Sequence, residues 1–324
     1  MKVVVTGGAG FIGSHMVKAL LREKWEVVTI DNLSTGHRDA VVGGVFVQHD
    51  LAQRTNLVDI LRQSRAQAVF HFAGLIQVGE SARDPEIYYR NNVVGTLNLL
   101  AAMRETGIRQ LVFSSTAAVY GEPRTVPIEE DHPFAPSSPY GSSKAMVEIV
   151  LTEYDRAYGL RSVSLRYFNA AGADPEGNLS ERHEPESHLI PLALQVARGC
   201  RRELNVFGTD YDTPDGTCVR DYVHVSDLCD AHLAALDWLS RNDSSGAFNL
   251  GNGRGYSVRD VVRIAEEVSG RPIPTVDLPR RLGDPARLVA SASRALDQLN
   301  WQPKFGELKT IIEHAWASSR RATF

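Results

Sequence analysis

Tyr140 and Lys144 stand four residues apart in the stretch Ser138-Pro139-Tyr140-Gly141-Ser142-Ser143-Lys144. On a helix that spacing puts a phenol and an ammonium on one face. Together they could take a proton from an alcohol. A phenol ordinarily titrates near ~10, so a tyrosine acting as a base near neutral pH needs a cation that favours the phenolate, and Lys144 is the candidate. The spacing alone suits an ordinary surface tyrosine and lysine equally well. What gives the pair meaning is the rest of the chain.

The N-terminus supplies the strongest context. Lys2-Val3-Val4-Val5-Thr6 reads as a buried parallel strand, followed at once by Gly7-Gly8-Ala9-Gly10-Phe11-Ile12-Gly13 and an apolar helix containing Met16, Val17, Ala19, Leu20 and Leu21. Glycines at such a turn let the backbone approach a pyrophosphate, whose charge is met by amides at the helix N-terminus. A second strand, Glu26-Val27-Val28-Thr29-Ile30, ends in Asp31, eighteen residues after Gly13. A carboxylate there accepts hydrogen bonds from the adenosine ribose hydroxyls and repels a 2′-phosphate, which points to NAD rather than NADP.

Apolar runs recur at βα spacing: 45–47, 68–72, 111–114 and 162–166, with helical patterns near 57–63, 91–105 and 140–158. The pattern predicts a doubly wound Rossmann-type parallel sheet over residues 1–169. After Asn169 the chain turns rich in Gly, Pro and charge, and 201–220 reads as short strands and loops. A smaller substrate domain over 170–324 is expected, interleaved with the first through a returning segment near 225–252. In such a sheet, ligands lie beyond the carboxyl ends of the strands. Asp50-Leu51, His71-Phe72-Ala73-Gly74 and Ser114-Ser115-Thr116-Ala117-Ala118 all fall there. Asp50 is placed to face the adenine amine, small Ala73 and Gly74 to let a dinucleotide lie flat, and Ser115 and Thr116 to stand near the Tyr140 helix.

With 324 residues and a formal net charge of −4, the chain has no electrostatic reason to bind nucleic acid or an anionic membrane. It begins in a structural strand and contains no apolar run near the ~20 residues that span a bilayer, so a cytoplasmic protein is expected. Cys200, Cys218 and Cys229 form no Cys-x-x-Cys pair and read as free thiols. His183-Glu184-Pro185-Glu186-Ser187-His188 invites a metal reading, but its histidines are five apart with a proline between them, unlike the His-Glu-x-x-His helix. No metal is expected.

The strings 5–15, Asp31-Asn32-Leu33-Ser34, His71-Phe72-Ala73-Gly74, Val78-Gly79-Glu80-Ser81, Tyr140-Gly141-Ser142-Ser143-Lys144, Arg166-Tyr167-Phe168-Asn169 and 219–225 together resemble the extended short-chain dehydrogenase/reductase family, specifically its UDP-hexose 4-epimerase branch. The resemblance runs from residue 1 to about residue 316. It implies Tyr140 as base, Lys144 as the partner of the nicotinamide ribose that lowers the phenol pKa, and Thr116 as partner of the reacting hydroxyl. Gly7, Gly10, Phe11, Ile12, Asp31, Asn32, Ser34, Asp50, Leu51, Phe72, Ala73, Gly74, Asn91, Ser114 and Tyr167 match cofactor positions. Asn169, His188, Leu189, Phe207, Arg220, Tyr222, Arg281 and Asp284 match positions that hold a UDP-sugar. The implied reaction oxidises C4 to a ketone and returns the hydride to its other face, so NAD is used and restored within one turnover.

Two positions depart from the family pattern: Ile76 stands where a Lys is common, and His188 where an Asn is. Related dehydratases and UDP-glucuronate decarboxylases resemble the chain in cofactor site and Tyr/Lys pair. They carry acids just after the loop Thr or Ser, however, where this chain has Ala117 and Ala118, and a methyl group cannot protonate a departing hydroxyl. A UDP-glucuronate 4-epimerase and a non-catalytic NAD-binding scaffold are the further alternatives. Leu288 aligns with the sugar-pocket wall, where a large Tyr in some family members excludes 2-acetamido sugars, so acetylated and plain UDP-hexoses are both expected to enter. The apolar faces of helices near 92–103 and 146–154 suit a two-fold homodimer bundle, or burial within one subunit.

Overall fold

The computed structural model describes residues 1–281 and 283–320. Seven strands form one all-parallel sheet, in the spatial order Val45–Gln48, Glu26–Asp31, Lys2–Thr6, Ala68–His71, Gln110–Thr116, Arg161–Tyr167 and Gly246–Leu250. The order in which strands are added reverses between Lys2–Thr6 and Ala68–His71, which are paired in parallel with Val3 opposite Ala68. That junction is where a doubly wound sheet opens a crevice for ligands.

Alternation along each strand explains the two helical layers. Val3, Val5, Phe70 and Val112 pack to one side with Met16 and Leu20 of helix Phe11–Arg22 and with Leu228, Ala231 and Leu236 of helix Val225–Arg241. Val4, Val69, Leu111 and Phe113 pack to the other with Leu57, Leu61, Leu99, Met103, Val147 and Leu151. Both faces of a parallel sheet are thereby covered, which is why its strands read as near-continuous apolar runs.

A smaller domain follows. Helices Leu189–Ala197, Val258–Ser269 and Leu308–Ser319 share a core containing Ile190, Leu194, Val261, Ile311 and Ile312. Short strand pairs flank it: Leu204–Phe207 with Thr275–Leu278, Asn169–Ala171 with Tyr222–His224, and Val219–Arg220 between Tyr256–Ser257 and Arg287–Leu288. The chain leaves the large sheet after Tyr167 and re-enters it at Gly246.

The helix expected from residue 91 begins instead at Gly95, after a π-helical stretch Tyr89–Val94. Buried Asn92 lies within that stretch, its side chain hydrogen-bonded to other segments, as described below. Such stretches concentrate at functional sites.

Candidate active site

Gly7 follows the first strand with φ of +71°, and a Cβ there would stand 2.4 Å from the amide nitrogen of Ala73. Only glycine permits that turn against the end of the fourth strand. At Gly10, by contrast, a Cβ would meet nothing nearer than the Gly7 carbonyl oxygen at 3.4 Å. Bareness at Gly10 leaves space over the N-terminus of helix Phe11–Arg22 rather than serving its packing. That terminus has no side-chain cap and no acidic residue in its first turn, so its free amides favour an anion. Asp31 is held in place by accepting from the amides of Ala9 at 2.9 Å and Leu33 at 2.8 Å, one on each oxygen. Each oxygen keeps capacity for a ribose hydroxyl.

Gly7, Gly10, Asp31, Asn32, Ser34, Asp50, Leu51, Phe72, Ala73, Gly74 and Asn91 line one cleft. Thr35, Gly36, His49 and Leu75 line it too and were missed, since isolated polar and small loop residues carry no pattern of their own. These features fit an extended dinucleotide. Phe11 and Ile12 lie in the first turn of the helix below; Ser114 and Tyr167 are buried and hydrogen-bonded to each other through their hydroxyls.

Helix Pro139–Tyr158 starts at Ser138, whose hydroxyl accepts from the Gly141 amide at 3.2 Å, with Pro139 in the first turn. A Cβ at Gly141 would lie 2.4 Å from the carbonyl oxygen of Ala118, so glycine lets the helix seat against the loop after strand Gln110–Thr116. Tyr140 thereby meets Thr116. Burial pushes the phenol above its ordinary pKa, and the hydrogen bond from Thr116 opposes that shift. Lys144 is buried one turn along and donates to the carbonyl oxygen of Ser114 at 2.9 Å. Burial pulls its ammonium down to about 8, and the carboxylate of Glu148 resists. Thr116 thus favours the phenolate, and Lys144, held on the Ser114 carbonyl, keeps further protons free on the same helix face as Tyr140.

Two positioning groups escaped the sequence. Asn92 is buried, accepts from the Leu75 amide at 2.8 Å, and donates to the Leu75 carbonyl and to Ser143 Oγ, each at 3.0 Å. It ties the loop after Gly74 to the Tyr140 helix. Glu148, Arg166 and Tyr120 form a buried network. Arg166 reaches Glu148 Oε2 at 2.7 Å and the Tyr120 hydroxyl at 2.9 Å, and that hydroxyl donates to Asn249 at 2.7 Å. A single asparagine or a Glu/Arg pair distant in sequence gives no local signal.

The expected sugar-nucleotide residues fall on the smaller domain's side. Arg220 and Asp284 form an ion pair, and the Arg281 guanidinium lies 3.9 Å from the centre of the Phe207 ring. Asn169 is half-buried at the start of its short strand. Leu288 packs against the cluster of Ala117, Val119 and Tyr120 beside Thr116. Tyr222 is buried in the smaller domain's core. His188 and Leu189 open helix Leu189–Ala197. Ile76 is exposed.

Comparisons with known proteins agree with this geometry. The model of the NAD dependent epimerase/dehydratase family matches residues 3–251. UDP-glucose 4-epimerase of Halalkalibacterium halodurans is 49% identical over 316 residues, 98% of this chain and 95% of that protein. The crystal structure of UDP-glucose 4-epimerase from Brucella ovis in complex with NAD superposes with a TM-score of 0.94 at 47% identity, covering 97% of each chain. The UDP-Glc/GlcNAc 4-epimerase of Campylobacter jejuni superposes with a TM-score of 0.86 at 41% identity, covering 99% of each.

Proposed function

The chain belongs to the NAD dependent epimerase/dehydratase family, and from that premise we propose how its own residues carry out the reaction. It is an isomerase that epimerises UDP-sugars at C4 with NAD as cofactor. Bound in the cleft lined by Gly7, Gly10, Asp31 and Ala73, NAD would supply the hydride acceptor and donor for C4.

Tyr140 is the base. Its phenol, beside Thr116, accepts the proton of the C4 hydroxyl, then returns it. Thr116 orients that hydroxyl and steadies the phenolate. Lys144, fixed on the Ser114 carbonyl, offers its remaining protons to the nicotinamide ribose. Gly7, Gly10, Phe11, Ile12, Asp31, Asn32, Ser34, Asp50, Leu51, Phe72, Ala73, Gly74, Asn91, Ser114 and Tyr167 form the cofactor's surroundings. Arg220 and Arg281 hold the diphosphate, whose geometry suits guanidinium forks. Asn169, His188, Leu189, Phe207, Tyr222, Asp284 and Leu288 complete the sugar-nucleotide side.

The observation that carries this reading is Tyr140 one helical turn from the buried Lys144, which is fixed on the Ser114 carbonyl at 2.9 Å, with Ala117 and Ala118 rather than acids directly after Thr116. Incubating the protein with UDP-galactose, without added reductant, should yield UDP-glucose by NMR and no accumulated NADH. A dehydrated or decarboxylated sugar, or stoichiometric NADH, would refute it.

We divide the chain into a cofactor unit, 1–169 with a returning segment near 225–252, and a UDP-sugar unit over the rest of 170–324. Packing of Leu228, Leu236 and Phe248 against Val3 and Val5 supports the return. A homodimer is supported by Met146 and Ile149, 44% and 56% exposed on helix Pro139–Tyr158, with Val94 exposed on the adjoining π-helical stretch. Three free cysteines suit the reducing cytoplasm. No helix among the described residues is long and apolar enough to cross a membrane.

A further inference from the structure

The loop before helix Leu189–Ala197 gathers a second set of chemistry-bearing side chains. Glu181, His183, Glu186 and His188 each turn one ligand-type atom toward a common point, all four atoms lying within 4.8 Å of one another. His183 Nδ1 is 3.4 Å from Glu181 Oε1 and 3.6 Å from Glu186 Oε1; His188 Nδ1 is 2.5 Å and 3.6 Å from the same two atoms. Ligands held at ~2.0–2.1 Å in a tetrahedron about zinc stand about 3.3 Å apart.

Proximity here is not hydrogen bonding. Glu181 Oε1, His183 Nδ1 and His188 Nδ1 are buried, and none of the three makes a hydrogen bond. The Glu181 side chain is only 6% exposed. Buried carboxylates and imidazoles are ordinarily hydrogen-bonded; these three converge at ion-pair distances without hydrogen-bond alignment, a geometry that suits a shared cation. Two further contacts hold the loop in shape. Glu186 Oε1 accepts from the amides of Ser187 and His188 at 2.8 and 2.9 Å, and Arg182 makes a two-pronged pair with Asp39 at 2.8 and 2.9 Å. Outer contacts of this kind orient metal ligands.

We propose that Glu181, His183, Glu186 and His188 bind one divalent first-row transition ion, zinc by preference. Two imidazoles favour such an ion over calcium or magnesium, which take oxygen ligands, and two carboxylates neutralise its charge. Four protein ligands close the coordination sphere, which makes the ion structural. It staples the cofactor turn to the sugar-nucleotide side: the His183 ring lies 6.5 Å from that of Phe11, and His188 opens the helix that Leu189 begins. The spacing of the two histidines, five apart with Pro185 between them, excludes only the helical His-Glu-x-x-His arrangement. The ligands come instead from a loop, with Glu181 and Glu186 completing what two histidines alone could not. The inference rests on this cluster and is independent of the epimerase reading.

The test uses the full-length protein stripped with a chelator and dialysed, then titrated with Co2+ and followed by visible absorption, with zinc content measured on the untreated protein. One ion per chain, d–d bands of four-coordinate intensity, displacement by zinc, and a rise in Tm on zinc addition are expected. Glu181→Gln, close to isosteric, and His183→Ala should each lose the bands and the Tm rise while far-UV circular dichroism is kept; if one misfolds, the other decides. Substoichiometric metal with no bands overturns the proposal. So does equal binding by wild type and both variants, or a thiolate charge-transfer band, which would place the ion on a cysteine.

Discussion

Lys144 donates to the carbonyl oxygen of Ser114 at 2.9 Å, and the hydroxyl of Ser114 is hydrogen-bonded to the phenol of Tyr167. The ammonium is thus anchored to the strand that ends in Thr116. One strand end therefore positions both the cation, through Ser114, and the hydroxyl of Thr116 that faces the phenol.

Tyr140→Phe should lower kcat by roughly 10²-fold to 10⁴-fold, the range for loss of a general base, with the far-UV spectrum unchanged. Thr116→Val should act differently. Because Thr116 opposes the upward shift that burial imposes on the phenol, its loss should move the limb of the kcat/KM profile governed by Tyr140 to higher pH. A pH–rate profile for wild type and variant measures this; an unmoved limb would show that Thr116 does not set the acidity of the base.

The Glu148–Arg166 pair is buried on both sides, with side chains 6% and 7% exposed. Arg166→Met leaves the carboxylate without its cation, and breaking such a pair costs about 3–5 kcal/mol. Replacing both, as Glu148→Leu with Arg166→Met, should recover a large part of that loss in urea denaturation. Strictly additive losses would contradict it.

Acid should weaken the fold through His71. Burial, and next the charge of Lys144, lower its pKa to about 3, while its ring is hydrogen-bonded to Thr6 at 2.6 Å and Thr96 at 2.8 Å. The unfolded chain therefore binds this proton first, near pH ~6.5, and the folded chain only near its own lower value. Stability from the neutral ring is complete above ~6.5 and declines as pH falls toward the folded pKa, by up to ~1.4 kcal/mol per pH unit. His71→Gln should show a shallower dependence of unfolding free energy on pH over that window. Equal slopes would assign the acid sensitivity elsewhere.

Leu288 packs beside Ala117 and Tyr120, against the loop that carries Thr116. Wild type should accept both acetylated and plain UDP-hexoses. Leu288→Tyr should lower kcat/KM for the acetylated pair relative to the plain pair by roughly 10-fold to 200-fold, the scale of a single pocket contact. A wild type that ignores acetylated sugars, or a ratio unmoved by the tyrosine, would leave Leu288 as a packing residue only.

The parallel sheet was legible in the chain because each strand must bury both faces, so Val3-Val4-Val5 and Ala68-Val69-Phe70 read as unbroken apolar runs. The glycine turn and Asp31 were legible because turn, helix and acid are contiguous, and Tyr140 and Lys144 because a helix converts a spacing of four into one face. Where contacts join distant segments, only the tertiary structure decided. Asn92 reaching Leu75 and Ser143, Glu148 meeting Arg166, and the ammonium of Lys144 anchored on the Ser114 carbonyl leave no periodicity behind. The four groups around Glu181 and His183 belong here as well. Their convergence depends on how a loop without regular repeat is folded, and a hydrogen bond or ligand direction in such a loop is set by backbone path rather than by sequence spacing.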